Sequence, residues 1–202
     1  MPVTPLHYPL AWLISKANKK LILPALVVGS VIPDVEVPIL WFFFTGVLPD
    51  HLILHSLVGG LTLGTILAVV GTSLFYPWIV STIFGVDRQD LKEACKITPI
   101  LVLSCFLGVV SHLLIDYTMH WFNPILWPWV DPFIFVGPLA LLFAVGGDVE
   151  GIGFHTANML ISAIMGIFWI AILIRYAKDD LWRNVWLGTD SLECDSPIKR
   201  ND

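Results

Sequence analysis

Hydrophobic residues in this chain are gathered into long runs with no charge between them. Leu52 to Val86 holds no Asp, Glu, Lys or Arg, and neither does Ile97 to Ile115. A helix needs about 20 apolar residues to cross a bilayer, so each run predicts a transmembrane helix. Gly153 to Ile174 predicts a third. Two shorter apolar stretches, Thr4-Pro5 to about Asn18 and Leu21 to Ile32, predict short helices. Thr4 reads as an N-cap with Pro5 at the first helical position. At about 1.5 Å per residue neither spans alone, so they predict a shallow hairpin or a tilted pair. Val37 to Leu48 reads as lying near the outer face. Ile125 to Gly146 is apolar but carries Asp131, Pro132 and Pro138, and reads as a re-entrant or outer-face element. The expected fold class is all-α, a multi-pass membrane bundle with short or re-entrant N-terminal helices. Residues 1–176 form one helical membrane domain in this reading, and 177–202 form a polar cytoplasmic tail.

Composition strengthens this picture. Of 202 residues, 56% are hydrophobic and 13% charged, against roughly 25% charged in a soluble domain. The 11 basic residues fall into three groups. They are Lys16, Lys19 and Lys20; then Arg88, Lys92 and Lys96; then Arg175, Lys178, Arg183, Lys199 and Arg200. Basic connections stay cytoplasmic, so all three groups are expected inside a cell membrane. The acidic connections, Asp34 to Asp50 and Asp116 to Glu150, are expected outside. A net charge of −5 with scattered bases gives no nucleic-acid footprint. Cys95, Cys105 and Cys194 share no disulfide or metal spacing. No basic residue precedes the apolar part of Met1 to Leu10, which argues against a cleaved signal peptide.

Against this apolar background, ionisable residues inside the helices are costly and usually functional. They are His7, Asp34, His55, His112 and Asp116. The expected path brings all five to the outer ends of helices, although they come from separate segments. His112 and Asp116 are spaced i, i+4 and share one helix face. Imidazole and carboxylate together suit a divalent ion, most simply zinc. Such an ion lowers the pKa of a bound water and makes a nucleophile near neutral pH. Asp34 or Asp116 is the candidate general base. Each residue also has a bland reading: His7 as an interfacial residue, Asp34 as a cap, the His112/Asp116 pair as a helix brace. His51, His120 and His155 read most simply as solvated interface residues. Asp50, Asp131, Asp148 and Glu150 read as loop charges, and Trp121, Trp127 and Trp129 as an aromatic belt.

The ordered set Thr4-Pro5-Leu6-His7, Ile32-Pro33-Asp34, His55-Ser56, Ser111-His112-Leu113-Leu114-Ile115-Asp116 and Leu126-Trp127-Pro128 resembles the membrane-bound metal-dependent hydrolases. That family is also described as LexA-binding inner-membrane-associated hydrolases, related to zinc-dependent phospholipase C. The resemblance covers roughly residues 1 to 130. It implies a multi-pass helical fold and a metal site on His7, Asp34, His55, His112 and Asp116. Many members carry a His-Arg-Gly run just before the His-Ser pair. Here that segment is Asp50-His51-Leu52-Ile53-Leu54-His55-Ser56, without Arg or Gly.

Two functions of different class fit these residues. The first is a metal-dependent hydrolase at the outer membrane face, acting on phosphoester or lipid-like substrates. The second is a transporter or ion-handling protein that uses the same polar cluster. The absence of an inverted repeat, and a cluster confined to one side, count against the second.

Overall fold

The computed structural model describes residues 4–188 and, among them, is built of helices and connecting turns. A 3-10 turn, Thr4–His7, leads into α1, Tyr8–Ala17. After a tight turn, α2 runs over Leu23–Gly29, and a second 3-10 turn, Ile32–Val35, leads into α3, Glu36–Phe44. The long helix α4 covers Leu57–Phe84. A short α5, Arg88–Ala94, precedes α6, Pro99–Met119. The following connection holds α7, Pro138–Leu142, before α8, Val149–Tyr176, and α9, Leu181–Leu187.

Three of these helices, α4, α6 and α8, are long and apolar enough to cross a membrane; α2 with the segment Ile32–Phe44 makes a fourth if the 41° break between them is bridged. Their outward faces carry large apolar side chains, among them Ile66, Leu74, Met159, Ile167 and Ile174. Exposed apolar surface of this extent on long helices is compatible with membrane association. The expected element between 125 and 146 contains no helix of spanning length.

Two boundaries differ from the sequence reading, for local reasons. The helix expected from Leu52 begins at Leu57, capped by Ser56, whose hydroxyl accepts from Gly59 N at 3.0 Å. The preceding residues cannot wind into helix because Leu52 and Leu54 N–H donate to the Glu36 carboxylate. That helix also continues past Tyr76 to Phe84. A wide π turn at Gly71–Phe75 loosens it just before Pro77, where the ring would otherwise collide with the preceding turn.

Part of the segment after residue 176 packs on the bundle. Val185 and Leu187 are buried, and the Tyr8 and Tyr76 hydroxyls donate to Val185 O and Trp186 O at 2.6 Å each. The part of the expected tail from 189 onward lies outside the described residues.

The core is organised around α2 packed on α6. At their crossing, Gly29 lies against the Cys105 carbonyl and Gly108 against the Leu26 carbonyl, so a Cβ on either would collide with the partner backbone. Close backbone approach through small residues is how helices pack where no water drives them together. Ser104 locks the register by accepting from Ile22 N at 3.0 Å. This crossing sets the end of α2, and therefore Ser30 and Asp34, beside His112 on α6.

Candidate metal centre

Every residue singled out within the apolar segments is buried: His7, Asp34, His55, His112 and Asp116. His7 ends the first 3-10 turn, and Asp34 sits in the second, which Pro33 helps to nucleate. His55 lies in the turn ahead of α4, while His112 and Asp116 face inward from the last two turns of α6. Four of the five, Asp34, His55, His112 and Asp116, present ligand atoms within 4.8 Å of one another. His7 stands beside them, its Nε2 3.6 Å from Asp116 Oδ1 and its ring stacked on His112 at 4.3 Å.

The tautomers can be read from the neighbours. His112 Nδ1 lies 2.8 Å from Ser30 O, and His7 Nδ1 lies 3.3 Å from Thr4 O. A carbonyl only accepts, so each Nδ1 carries the proton. His55 Nδ1 likewise donates to Glu36 Oε1 at 2.7 Å. With each Nδ1 donating outward, a neutral ring turns a bare Nε2 lone pair toward the centre. There, His55 Nε2 and His112 Nε2 lie 3.2 Å apart. Asp116 Oδ2 is 3.2 Å from His112 Nε2 and 3.4 Å from His55 Nε2, and Asp34 Oδ1 is 3.5 Å and 3.8 Å from the same two atoms.

Lone pairs and carboxylate oxygens facing one another repel unless a cation lies among them. The buried atoms without a hydrogen-bond partner tell the same story. They include His7 Nε2, His120 Nε2 and both oxygens of Asp34 and of Asp116. A buried polar atom left unpaired costs roughly 1–3 kcal/mol, and a charged one more. No Lys or Arg exists between Leu21 and Asp87 or between Ile97 and Ile174 to supply the missing charge. Bare imidazole nitrogens and carboxylate oxygens converging on one point are the donor set of zinc, so the residues fit that metal.

A zinc-dependent phospholipase C family model matches residues 1–157. The chain belongs to this family. No curated protein and no solved structure matches it. Membership in the zinc-dependent phospholipase C family and the buried Asp/His group agree on the cofactor: zinc.

Glu36 was not among the expected site residues of this phospholipase C family member. Its carboxylate accepts from Leu52 N at 2.8 Å, Leu54 N at 2.7 Å and His55 Nδ1, and so aims His55 at the centre. A carboxylate on the far nitrogen is the usual orienting partner of a histidine that can ligate a metal. The signal was present in the sequence, since Glu36 stands in Val35-Glu36-Val37, as apolar a setting as that of Asp34.

His51 and His120, expected at a solvated interface, are instead buried. Together with Asp116 they make a second group of metal-ligand geometry that shares Asp116 with the first. His51 is oriented by Asp50 at 2.8 Å. That contact holds the Asp50 carboxyl below its ordinary range. Burial pushes His120 down to about 3, which keeps its ring neutral, as a ligand must be. His155 is exposed and joins neither group. Asp131 and Asp148, expected as loop charges, cap turns: Asp131 accepts from Phe133 N, and Asp148 from Gly151 N and Ile152 N.

Proposed function

We propose that this family member is a multi-pass membrane enzyme that hydrolyses phosphoester bonds of lipid-like substrates at a zinc centre opening toward the external face. The observation that carries the reading is the pair of Nε2 atoms of His55 and His112, 3.2 Å apart and flanked by unpaired carboxylate oxygens. Asp34, His55, His112 and Asp116 hold the metal, with His7 against Asp116. His51 and His120 hold a second ion that shares Asp116. Bound zinc supplies Lewis acidity toward the phosphoryl group and a water acidified to near neutrality.

The protein's own groups do the rest. Glu36, the Ser30 carbonyl and the Thr4 carbonyl orient His55, His112 and His7 through their Nδ1–H groups. Asp34 keeps its second oxygen available to take the proton of the attacking water. A narrow cleft lined by His51, His55, Asp116 and His120 reaches the centre. Its walls include Leu113, Tyr117 and Ile125, which also line an apolar cavity of about 420 Å³ formed with Leu57, Leu61 and Phe135. An acyl chain in that cavity would set its phosphoester beside the side chains that wall the cleft. Only Leu113, Tyr117 and Ile125 stand between this apolar cavity and the cleft, and that adjacency favours a lipid over a water-soluble ester.

In this reading α4, α6 and α8 cross the membrane, with the polar cluster near its external face and the basic groups near the cytoplasmic one. In a Cys194→Ser background, cysteines placed at Gln89 and Gly147 should label from opposite sides of intact cells. Catalysis is tested by supplying phosphatidylcholine in mixed micelles to the zinc-loaded protein. Diacylglycerol and a phosphorylated head group should form, and Asp34→Asn should abolish both while retaining the fold. Metal-loaded protein that releases neither product from any phospholipid head-group class would overturn the lipid reading.

A further inference from the structure

The opposite end of the bundle holds a second feature, which the hydrolase reading does not use. A cavity of about 880 Å³ opens between the turn joining α1 to α2, α5, the start of α6, and the ends of α8 and α9. Along α6, its landmark Ile100 lies about 18 Å from His112 at ~1.5 Å per residue, so the two sites are separate.

Charge is concentrated here. Lys16, Lys19, Lys20, Lys96, Arg175 and Arg183 line the cavity, against two carboxylates, Asp90 and Glu93. The lining thus carries four positive charges in excess, in a chain whose net charge is −5. Both carboxylates are already engaged, Asp90 with Arg183 at 3.0 Å and Glu93 with Lys96. Among the described residues, no carboxylate pairs with Lys19, Lys20 or Arg175. All three groups of bases contribute, although they are far apart in sequence. α6 also begins here, its N-cap Thr98 at the rim, and a helix N-terminus favours an anion.

The walls are mixed. Leu21, Ile22, Leu23 and Ile100 form an apolar side. Ile97 and Ile174, next in sequence to the rim residues Lys96, Thr98 and Arg175, are exposed, as is Leu103 on α6. Trp12 and Tyr176 lie beneath Lys16, and Tyr176 beneath Arg175, as cation–π partners. Bases, aromatic rings and exposed aliphatic side chains at the ends of long apolar helices match the level of lipid head groups.

We infer that this cavity binds the phosphate of an anionic phospholipid head group, with the acyl chains lying along the exposed apolar faces of α6 and α8. The site shares with the hydrolase reading only the membrane location; it needs neither the metal nor catalysis. A soluble phosphate would be held by the same bases but would leave the apolar wall unused.

Native mass spectrometry of the full-length protein in neutral detergent tests this, with equal amounts of phosphatidylglycerol and phosphatidylcholine added. The wild type should retain phosphatidylglycerol roughly tenfold or more over phosphatidylcholine, each nearby base contributing strongly at a lipid surface. The Lys19→Gln/Lys20→Gln/Arg175→Gln variant should lose most of that preference while keeping the wild-type thermal midpoint in the same detergent, which certifies its fold. Arg88→Gln/Lys92→Gln, which removes bases outside the cavity lining, should keep it. Equal retention of the two lipids by the wild type overturns the proposal. So does an equal loss in both variants, which would mean charge without a site. Displacement of the lipid by inorganic phosphate alone assigns the cavity to a soluble anion and also overturns it.

Discussion

The two ends of the bundle treat charge in opposite ways. At the metal end, His7, Asp34, Glu36, His55, His112, Asp116 and His120 are buried, and several of their atoms face one another without a proton to share. At the basic end, Lys19, Lys20, Lys96 and Arg175 are exposed, and Lys96 and Arg183 are matched to carboxylates. Exposed charges cost little because water and salt screen them. Buried ones are tolerated only with a partner. The metal end is therefore incomplete without a cation, whereas the basic end is stable as it stands and merely receptive to an anion.

The sharpest way to break this contrast is to remove the metal. Stripping with a chelator should lower the thermal midpoint by about 10 °C, given ~4 kcal/mol from a ligand held at 1,000 times its dissociation constant. An unchanged midpoint would mean the buried cluster is satisfied without a cation. Next in size is Glu36→Gln. It removes the carboxylate that orients His55 and should weaken zinc binding by about 10–100-fold, read by competition with a chromophoric chelator. Wild-type affinity would make Glu36 a bystander. Gly108→Ala drives a methyl into the Leu26 carbonyl at the α2/α6 crossing and should cost about 1–3 kcal/mol in thermal or denaturant unfolding. Gly166→Ala, where nothing lies within 4 Å of the added Cβ, is the matched control and should be neutral or mildly stabilising. The smallest effect belongs to the basic end. Asp87 caps α5 by accepting from Gln89 N and Asp90 N, so Asp87→Ala should cost about 1 kcal/mol and leave metal content untouched.

The long apolar runs made α4, α6 and α8 legible, because an uncharged stretch of bilayer length has few other uses. His112 and Asp116 were legible from helical spacing, and His55 and Asp34 from their apolar surroundings. In the sequence Glu36 reads as one charge of an acidic connection; only the fold reveals that its carboxylate is spent on two backbone N–H groups and one imidazole. The sequence places His51 and His120 at a wet interface, because depth along a path says nothing of what packs above it. In the structure, the 120–137 connection closes over them: Asn123 Nδ2 donates to His120 O and Phe135 O, and Gly137 N donates to His120 O. The docking of Val185 and Leu187 was equally hidden, since the surrounding polar residues mask a short apolar face.

Metal content is the most direct measure of the central claim. Protein purified without chelators should carry stoichiometric zinc by elemental analysis. His112→Ala and Asp116→Ala should each lose it while the protein stays folded and in the membrane fraction. Wild-type protein that holds no metal, and whose stability does not change when zinc or manganese is added, would contradict the account.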